Sequence, residues 1–229
     1  MELFGIPIRL ASRDEILARV RSFLSEPGFH RIATVNPEFL VLADRNPGFK
    51  LALLSADLCV ADGVGIVLAG WLHGEKVTRF PGADLIEHIL KFAEQDHRSV
   101  YLALRKDGLS SYKAVKQALL EKFPQLFLVT DLSQAAVVLC SYGAPEQEIY
   151  LESLRLPYPA IRLVMGVGGS LDYLTGKQKR APKLFRALGL EWLWRLILQP
   201  KRYQRISTAV VTFPFLVLGK TLKNAIIKP

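Results

Sequence analysis

Two stretches decide the fold: Ile32-Ala33-Thr34-Val35-Asn36-Pro37-Glu38 and Leu58-Cys59-Val60-Ala61-Asp62-Gly63-Val64-Gly65. Each is an apolar run that ends in a small polar cluster, and helix signals begin there. Asn36 is a strong N-cap type, and Pro37 suits the first helical position. Asp62 sits where the chain must turn, and the glycines after it let a backbone approach a ligand. In open α/β sheets, ligands bind outside the carboxyl ends of the strands. Thr34, Asn36 and Asp62 stand at that edge.

Working outward, the same alternation continues. A helix over 12–25 is predicted from Ser12 as N-cap, Glu15 completing a capping box, and a stripe of Ile16, Val20, Phe23 and Leu24. Helices are expected from Pro37 to Asn46, over 48–54, from Val64 to Leu72, and from Pro81 to Gln95. Val64–Leu72 is nearly all apolar and reads as buried. Strands are expected at Ser99–Leu104, Leu126–Thr130, Ala136–Cys140 and Ile161–Met165, with helices at Ser110–Lys122 and Pro145–Leu154 between them. The strands are continuous apolar runs, as in parallel sheets covered on both faces. The result is a doubly wound, mostly parallel α/β domain.

The pattern changes after Met165. Residues 183–198 read as one amphipathic helix, which Pro200 breaks. Residues 206–219 form an apolar run interrupted by Pro214, too short for the ~20 residues that span a bilayer. It suits an interfacial anchor flanked by Arg202, Arg205, Lys220 and Lys223, or a hairpin packed back on the domain. The chain therefore divides into 1–174, the α/β domain, and 175–229, a basic, partly apolar helical appendage.

Charge follows the same division. The chain of 229 residues carries a formal +9. From Lys177 to Pro229 there are twelve basic residues, Lys228 the last of them, and a single acidic one, Glu191. Such a segment points to an anionic partner: nucleic acid, an anionic membrane surface or a phosphate-bearing substrate. Cys59 and Cys140 both lie in apolar runs and read as buried core residues, which fits a reducing compartment. The N-terminus, Met1-Glu2-Leu3-Phe4-Gly5-Ile6-Pro7, lacks the basic and long apolar regions of a secretory signal.

The chemistry-bearing residues are few. There is no P-loop: Gly166-Val167-Gly168-Gly169 follows a strand but lacks the Lys-Ser/Thr of that motif. A glycine loop of this kind can still offer N–H groups to a diphosphate, or be a plain tight turn. His30, His73, His88 and His97 are scattered, and no pair has zinc spacing. The chain has no Asp-x-Asp, so cationic side chains such as Arg79 and Arg180 are the candidates for neutralising a leaving phosphate. Asp62 reads either as a turn former or as a general base.

Further motifs fall in a recognisable order: Thr34-Val35-Asn36-Pro37, Ala61-Asp62-Gly63-Val64-Gly65-Ile66, Arg79-Phe80-Pro81-Gly82-Ala83-Asp84-Leu85, Gly143-Ala144-Pro145-Glu146-Gln147-Glu148 and Gly166-Val167-Gly168-Gly169. Lys179-Arg180-Ala181-Pro182, Gly189-Leu190-Glu191-Trp192, Arg195 and Pro200-Lys201-Arg202 follow. Together they resemble the WecG/TagA/CpsF glycosyltransferases over about residues 30–205. The resemblance implies a Rossmann-like fold and inverting transfer, without a metal or other cofactor, of a sugar from a UDP-sugar donor. The implied acceptor is a polyprenyl-diphosphate-linked saccharide at the cytoplasmic face of the plasma membrane, in cell-surface polysaccharide synthesis.

Carried over by position, Asp62 resembles the base, with Thr34 and Asn36 beside it as catalytic neighbours. Arg79 and Gln147 resemble substrate-pocket residues; the tail arginines Arg180, Arg195, Arg202 and Arg205 are expected to pair with the lipid diphosphate. Gly143, Gly168, Gly169 and Asp172 resemble the nucleotide side. The basic tail resembles a cover that closes over the site and docks on an anionic membrane. Glu146 departs from the pattern, since the family often has Lys there.

A non-catalytic nucleotide-sugar-binding or membrane-adaptor subunit is the alternative function. An NAD-dependent oxidoreductase is disfavoured because Thr34–Pro37 lacks the Gly-x-Gly-x-x-Gly spacing. No nucleic-acid partner is expected, since the 206–219 run has no role in phosphate-backbone contact. Homo-oligomer formation stays open.

Overall fold

The computed structural model describes residues 1–227, with side chains as far as Thr221, so Lys223 and Lys228 of the basic run lie outside the described side chains. A short antiparallel hairpin, β1 (Glu2–Leu3) and β2 (Ile6–Pro7), opens the chain. Helix α1 (Arg13–Ser25) carries the expected capping box, with Glu15 N–H donating to Ser12 Oγ at 3.2 Å and Ser12 N–H donating to Glu15 Oε2 at 2.8 Å.

Then come β3 (His30–Val35), α2 (Pro37–Arg45), α3 (Pro47–Leu54), β4 (Leu58–Ala61), α4 (Val64–Leu72) and α5 (Gly82–Gln95). Asn36 caps α2, its Oδ1 accepting from Phe39 N–H at 2.9 Å. The second half supplies β5 (Val100–Ala103), α6 (Tyr112–Lys122), β6 (Leu128–Val129), β7 (Val137–Cys140), α7 (Glu146–Ser153) and β8 (Leu163–Gly166).

The six later strands form one parallel sheet in the order β4-β3-β8-β7-β5-β6. This is the expected doubly wound, Rossmann-like α/β fold. Strand residues alternate between two apolar layers. Ile32, Val60, Leu102, Leu139 and Met165 pack with α1, α5 and α6 on one face. Ala33, Val35, Cys59 and Ala61 pack with α2, α3 and α4 on the other, and Val138, Cys140 and Val164 pack with α7. Both faces are covered, which is why the strands read as unbroken apolar runs. Pairing of Val35 with Ala61 and of Cys140 with Gly166 brings four strand ends to one edge. The order reverses between β3 and β8, so a crevice opens there.

After the short helix α8 (Leu171–Leu174), the tail folds as α9 (Lys183–Ala187), α10 (Glu191–Leu198), α11 (Tyr203–Ser207), a π-helical turn at Thr208–Thr212, and α12 (Phe213–Ile227). The single helix expected over 183–198 is instead two. Gly189 separates them with φ +72°, and a Cβ there would lie 2.8 Å from Val64 Cγ2. The tail thus approaches α4 through a residue that only glycine suits.

Helix α4 also departs from the reading as buried. Ile66, Ala69 and Gly70 face inward, while Leu68, Trp71 and Leu72 are 52%, 77% and 59% exposed. Of the 206–219 run, Ile206, Phe213 and Val217 are buried, and Phe213 and Val217 join the core layer of Phe39 and Ile66. Val210, Val211, Phe215 and Leu218 stay exposed. Packing and exposure divide that run between its two faces. Ion pairs also tie the tail to the core: Arg79–Glu191, Arg180–Asp84, Arg205–Glu38 and Lys220–Asp44.

Candidate active site

The strand ends open into two adjoining cavities. The first, about 440 Å³, is lined by Thr34, Asn36, Asp62 and Tyr142, by the loops at Gly143 and Gly166–Gly169, and by Asp172 and Gln178. The second, about 360 Å³, is more apolar, with Pro37, Val64, Leu68, Trp192, Ile206, Val210 and Pro214 in its wall. Asn36, Asp62, Glu191, Arg195, Arg202 and Arg205 line both. The carboxylate at the end of β4 therefore stands where the cavities meet.

Asp62 is held from several sides. Its N–H donates to Val35 O at 2.7 Å, and the backbone of Gly82, at the start of α5, favours its charged form. The side chain keeps an opening to the cavity, but burial lifts its pKa to about 6. Arg195 pulls that value down, Glu191 pushes it up, and Arg79 pulls it down again. A carboxylate poised near neutrality accepts a proton more readily than one at the usual 3.8.

Thr34 is buried beside Gly82. Asn36 has its oxygen committed to the α2 cap, so its amide N–H2 is the end left to face the cavity.

The arginines differ in their commitments. Arg79 donates to Arg186 O at 2.8 Å and pairs with Glu191 at 3.1 Å, and it lines the second cavity alone. Arg195 pairs with the other oxygen of Glu191 at 2.9 Å. Arg205 grips Glu38 through two bonds. Arg180 pairs with Asp84 at 2.6 Å and lines a separate small cavity, away from Asp62. Among the described residues no carboxylate pairs with Arg202. Burial and the neighbouring Arg205 and Arg195 push its pKa down. Its guanidinium lies beside Gly169, since a Cβ built there would be 3.9 Å from Arg202 Nη2. A part-buried cation next to a glycine loop, repelled by two further cations, is a seat for an anion.

Asp172 is anchored rather than free: its Oδ1 accepts from Ser110 Oγ at 2.6 Å, and Ser110 also meets Thr175. Gln147 is 3% exposed, and both ends of its amide are engaged. Ser110 lies outside every motif of the sequence, and Glu191 lies inside one that assigned it no role, yet each holds a site residue in place. Glu191 did carry a signal, being the one acidic residue in the basic tail. Among the described residues, no group of three His, Cys, Asp or Glu side chains could hold a metal ion.

Compared with known families, the chain matches the one described as the glycosyl transferase WecG/TagA/CpsF family, over residues 1–131 and 129–226.

Proposed function

The chain belongs to the WecG/TagA/CpsF glycosyltransferase family, and on that premise we propose that it moves a sugar from a UDP-sugar to a polyprenyl-diphosphate-linked saccharide, inverting the anomeric carbon. The observation that carries this is the meeting of a polar and an apolar cavity at Asp62. The polar one suits a nucleotide sugar. The apolar one suits the first units of a lipid-linked acceptor. Residues 1–174 act as the catalytic domain and 175–229 as its cover and anchor.

In the reaction, an acceptor hydroxyl attacks the anomeric carbon as Asp62 takes its proton. The bond from that carbon to the UDP oxygen breaks, and its electron pair leaves with UDP. Arg202 and the N–H of Gly169 receive the growing negative charge. Arg79 and Arg195 share the one carboxylate of Glu191; Arg79 lies on the acceptor side, and Arg195 stands between the two cavities. The donor sugar falls within N-acetylmannosamine types, their uronic acids, glucose and glucuronic acid. A thermal-shift panel of these UDP-sugars tests the reading, because a ligand of the native state raises its melting temperature. No shift with any of them, together with no transfer to a lipid-linked acceptor, overturns it.

Cations come from arginines here, so EDTA is expected to leave the transfer rate unchanged. Loss of activity with EDTA and its return with Mg²⁺ or Mn²⁺ would reverse that assignment.

Membrane attachment is peripheral and on the cytoplasmic face in this proposal. No helix among the described residues is long and apolar enough to cross a membrane. Instead α4 and α12, which pack together, present Trp71 and Phe215 at 77% and 73% exposure. Leu68 and Val210 are exposed too, and both line the apolar cavity. That continuity supports a surface resting in the headgroup layer, with the cavity opening toward lipid. The triple variant Trp71→Glu, Phe215→Glu, Leu218→Glu is expected to stop co-sedimentation with anionic vesicles while UDP binding persists. Unchanged pelleting would move the anchor elsewhere.

A further inference from the structure

Beneath the two glycine loops lies a charge network, buried at its centre, that the reaction does not use directly. Arg31 on β3 and Glu148 on α7 are 0% and 1% exposed. Arg31 Nη1 lies 3.5 Å from Glu148 Oε2 and donates to Glu148 O at 3.0 Å. Its Nη2 donates to Ser55 Oγ at 3.0 Å, and Glu152 stands 3.5 Å from Nε. The other Glu148 oxygen, Oε1, accepts from Gln147 Nε2 at 3.1 Å.

Gln147 then spends its own oxygen on two backbone donors, Gly143 N–H at 3.1 Å and Gly168 N–H at 3.2 Å. One loop follows β7 and the other follows β8, and both line the polar cavity. The amide can lie only one way. The two N–H groups need an oxygen, and the carboxylate needs an N–H. Gly166 passes so close that an added Cβ would overlap both the Gln147 amide and the Glu148 carboxylate.

We infer that Glu148, anchored by Arg31, is a positioning residue that fixes the Gln147 amide and so holds the Gly143 and Gly168 loops at the spacing a nucleoside diphosphate requires. The diphosphate class rests on the proposed function; the clamp itself does not. A buried ion pair is weak evidence for stability and is better explained where it sets a conformation. Here Arg31 faces one carboxylate oxygen as an ion pair at 3.5 Å, which leaves the other to dictate which end of the neighbouring amide faces the loops.

The test is Glu148→Gln, which keeps size and removes one acceptor. Arg31 faces one carboxylate oxygen and Gln147 the other, so the one carbonyl oxygen of the variant can face only one of them. The charged partner takes it. The introduced N–H2 then faces Gln147, whose amide turns over and aims its own N–H2 at Gly143 and Gly168.

Amide exchange at Gly143 and Gly168 in the unliganded protein is expected to quicken about tenfold, and UDP affinity to fall about tenfold, the loss expected of one or two hydrogen bonds. Arg31→Met combined with Glu148→Gln frees the oxygen for Gln147 and is expected to restore both. A merely structural ion pair predicts no such rescue: parental exchange in Glu148→Gln, or equal disturbance in both variants, overturns the inference. If Glu148→Gln does not fold, Glu148→Gln and Glu148→Leu are compared in the Arg31→Met background. The first should protect the two amides and the second should not, and equal protection overturns the inference. Absence of UDP binding by the parent would sink the proposed function, while the exchange contrast still decides the clamp.

Discussion

Asp62→Asn is expected to lose ~10² to 10⁴ of the turnover and to melt higher than the parent at neutral pH. The rate loss follows from removing the proposed base where the two cavities meet. The stability gain follows from the same environment. In the folded protein Asp62 holds its proton up to about pH 6, because burial disfavours the charge, against 3.8 for the ordinary side chain. Between these values the native state binds more protons than the unfolded chain, so stability falls as pH rises.

At pH 7 the ionised carboxylate therefore costs the fold on the order of 1–3 kcal/mol, and Asn removes that charge. Melting curves at pH 7 and near pH 3.5 check this: the gap between variant and parent should close at the acid end, where both side chains are neutral. The parental kcat/KM should fall as pH drops through about 6, while the residual rate of the variant should lack that limb. Near-parental turnover by a folded variant would remove Asp62 from the chemistry.

Truncation after Leu174 has the second-largest expected effect. The six sheet strands end by Gly166, and the layer around α1, α5 and α6 contains nothing from the tail. An α/β far-ultraviolet spectrum should survive. The other face is stripped, since Phe213 and Val217 cover it at 2% and 3% exposure and Phe213 stacks on Phe4. Losing buried side chains of this size costs ~2–5 kcal/mol each, so melting should fall by ~10 °C or more.

Arg195, Arg202 and Arg205 go as well, and the proposed anion seat beside Gly169 loses its cations. Transfer should fall by at least ~10², the scale of one lost donor at a developing charge. Pelleting with anionic vesicles should vanish too. A truncated protein that pellets like the parent would exclude the tail as anchor. One that also keeps the parental rate would reduce the tail to structural cover.

How much of this was legible in the sequence depends on how local its cause is. The Ser12–Glu15 box and the Asn36 cap are interactions within one turn, and both formed as read. The strands were legible because burial on both faces leaves few polar residues in them, Arg31 and Thr34 of β3 being buried exceptions. The break at Gly189 was not legible. It is forced by Val64, more than a hundred residues away, and a helical stripe hides it. Helix α4 was misread because apolar composition alone does not distinguish a helix buried all round from one that leaves an apolar face exposed.

Site residues follow the same rule. Thr34, Asn36, Asp62, Gly143, Gln147, Gly168, Gly169, Asp172, Arg195, Arg202 and Arg205 converge on one cavity, since topology carries strand ends to a common edge. Arg79, paired with Glu191, lines only the second cavity, and Arg180, paired with Asp84, lines a separate one; pairing of that kind is invisible until the chain is folded.

The two openings on one carboxylate have a kinetic meaning. On the proposed reading, donor arrives from a volume and acceptor from a surface. Donor concentration is then counted in moles per litre, but acceptor concentration is counted as a mole fraction among lipids. Diluting the acceptor with inert phospholipid, at fixed total acceptor, should slow an attached enzyme, whereas adding buffer should not. UDP departs through the polar mouth while the lengthened lipid stays in the plane, so the enzyme can meet its next acceptor by lateral diffusion without returning to solution.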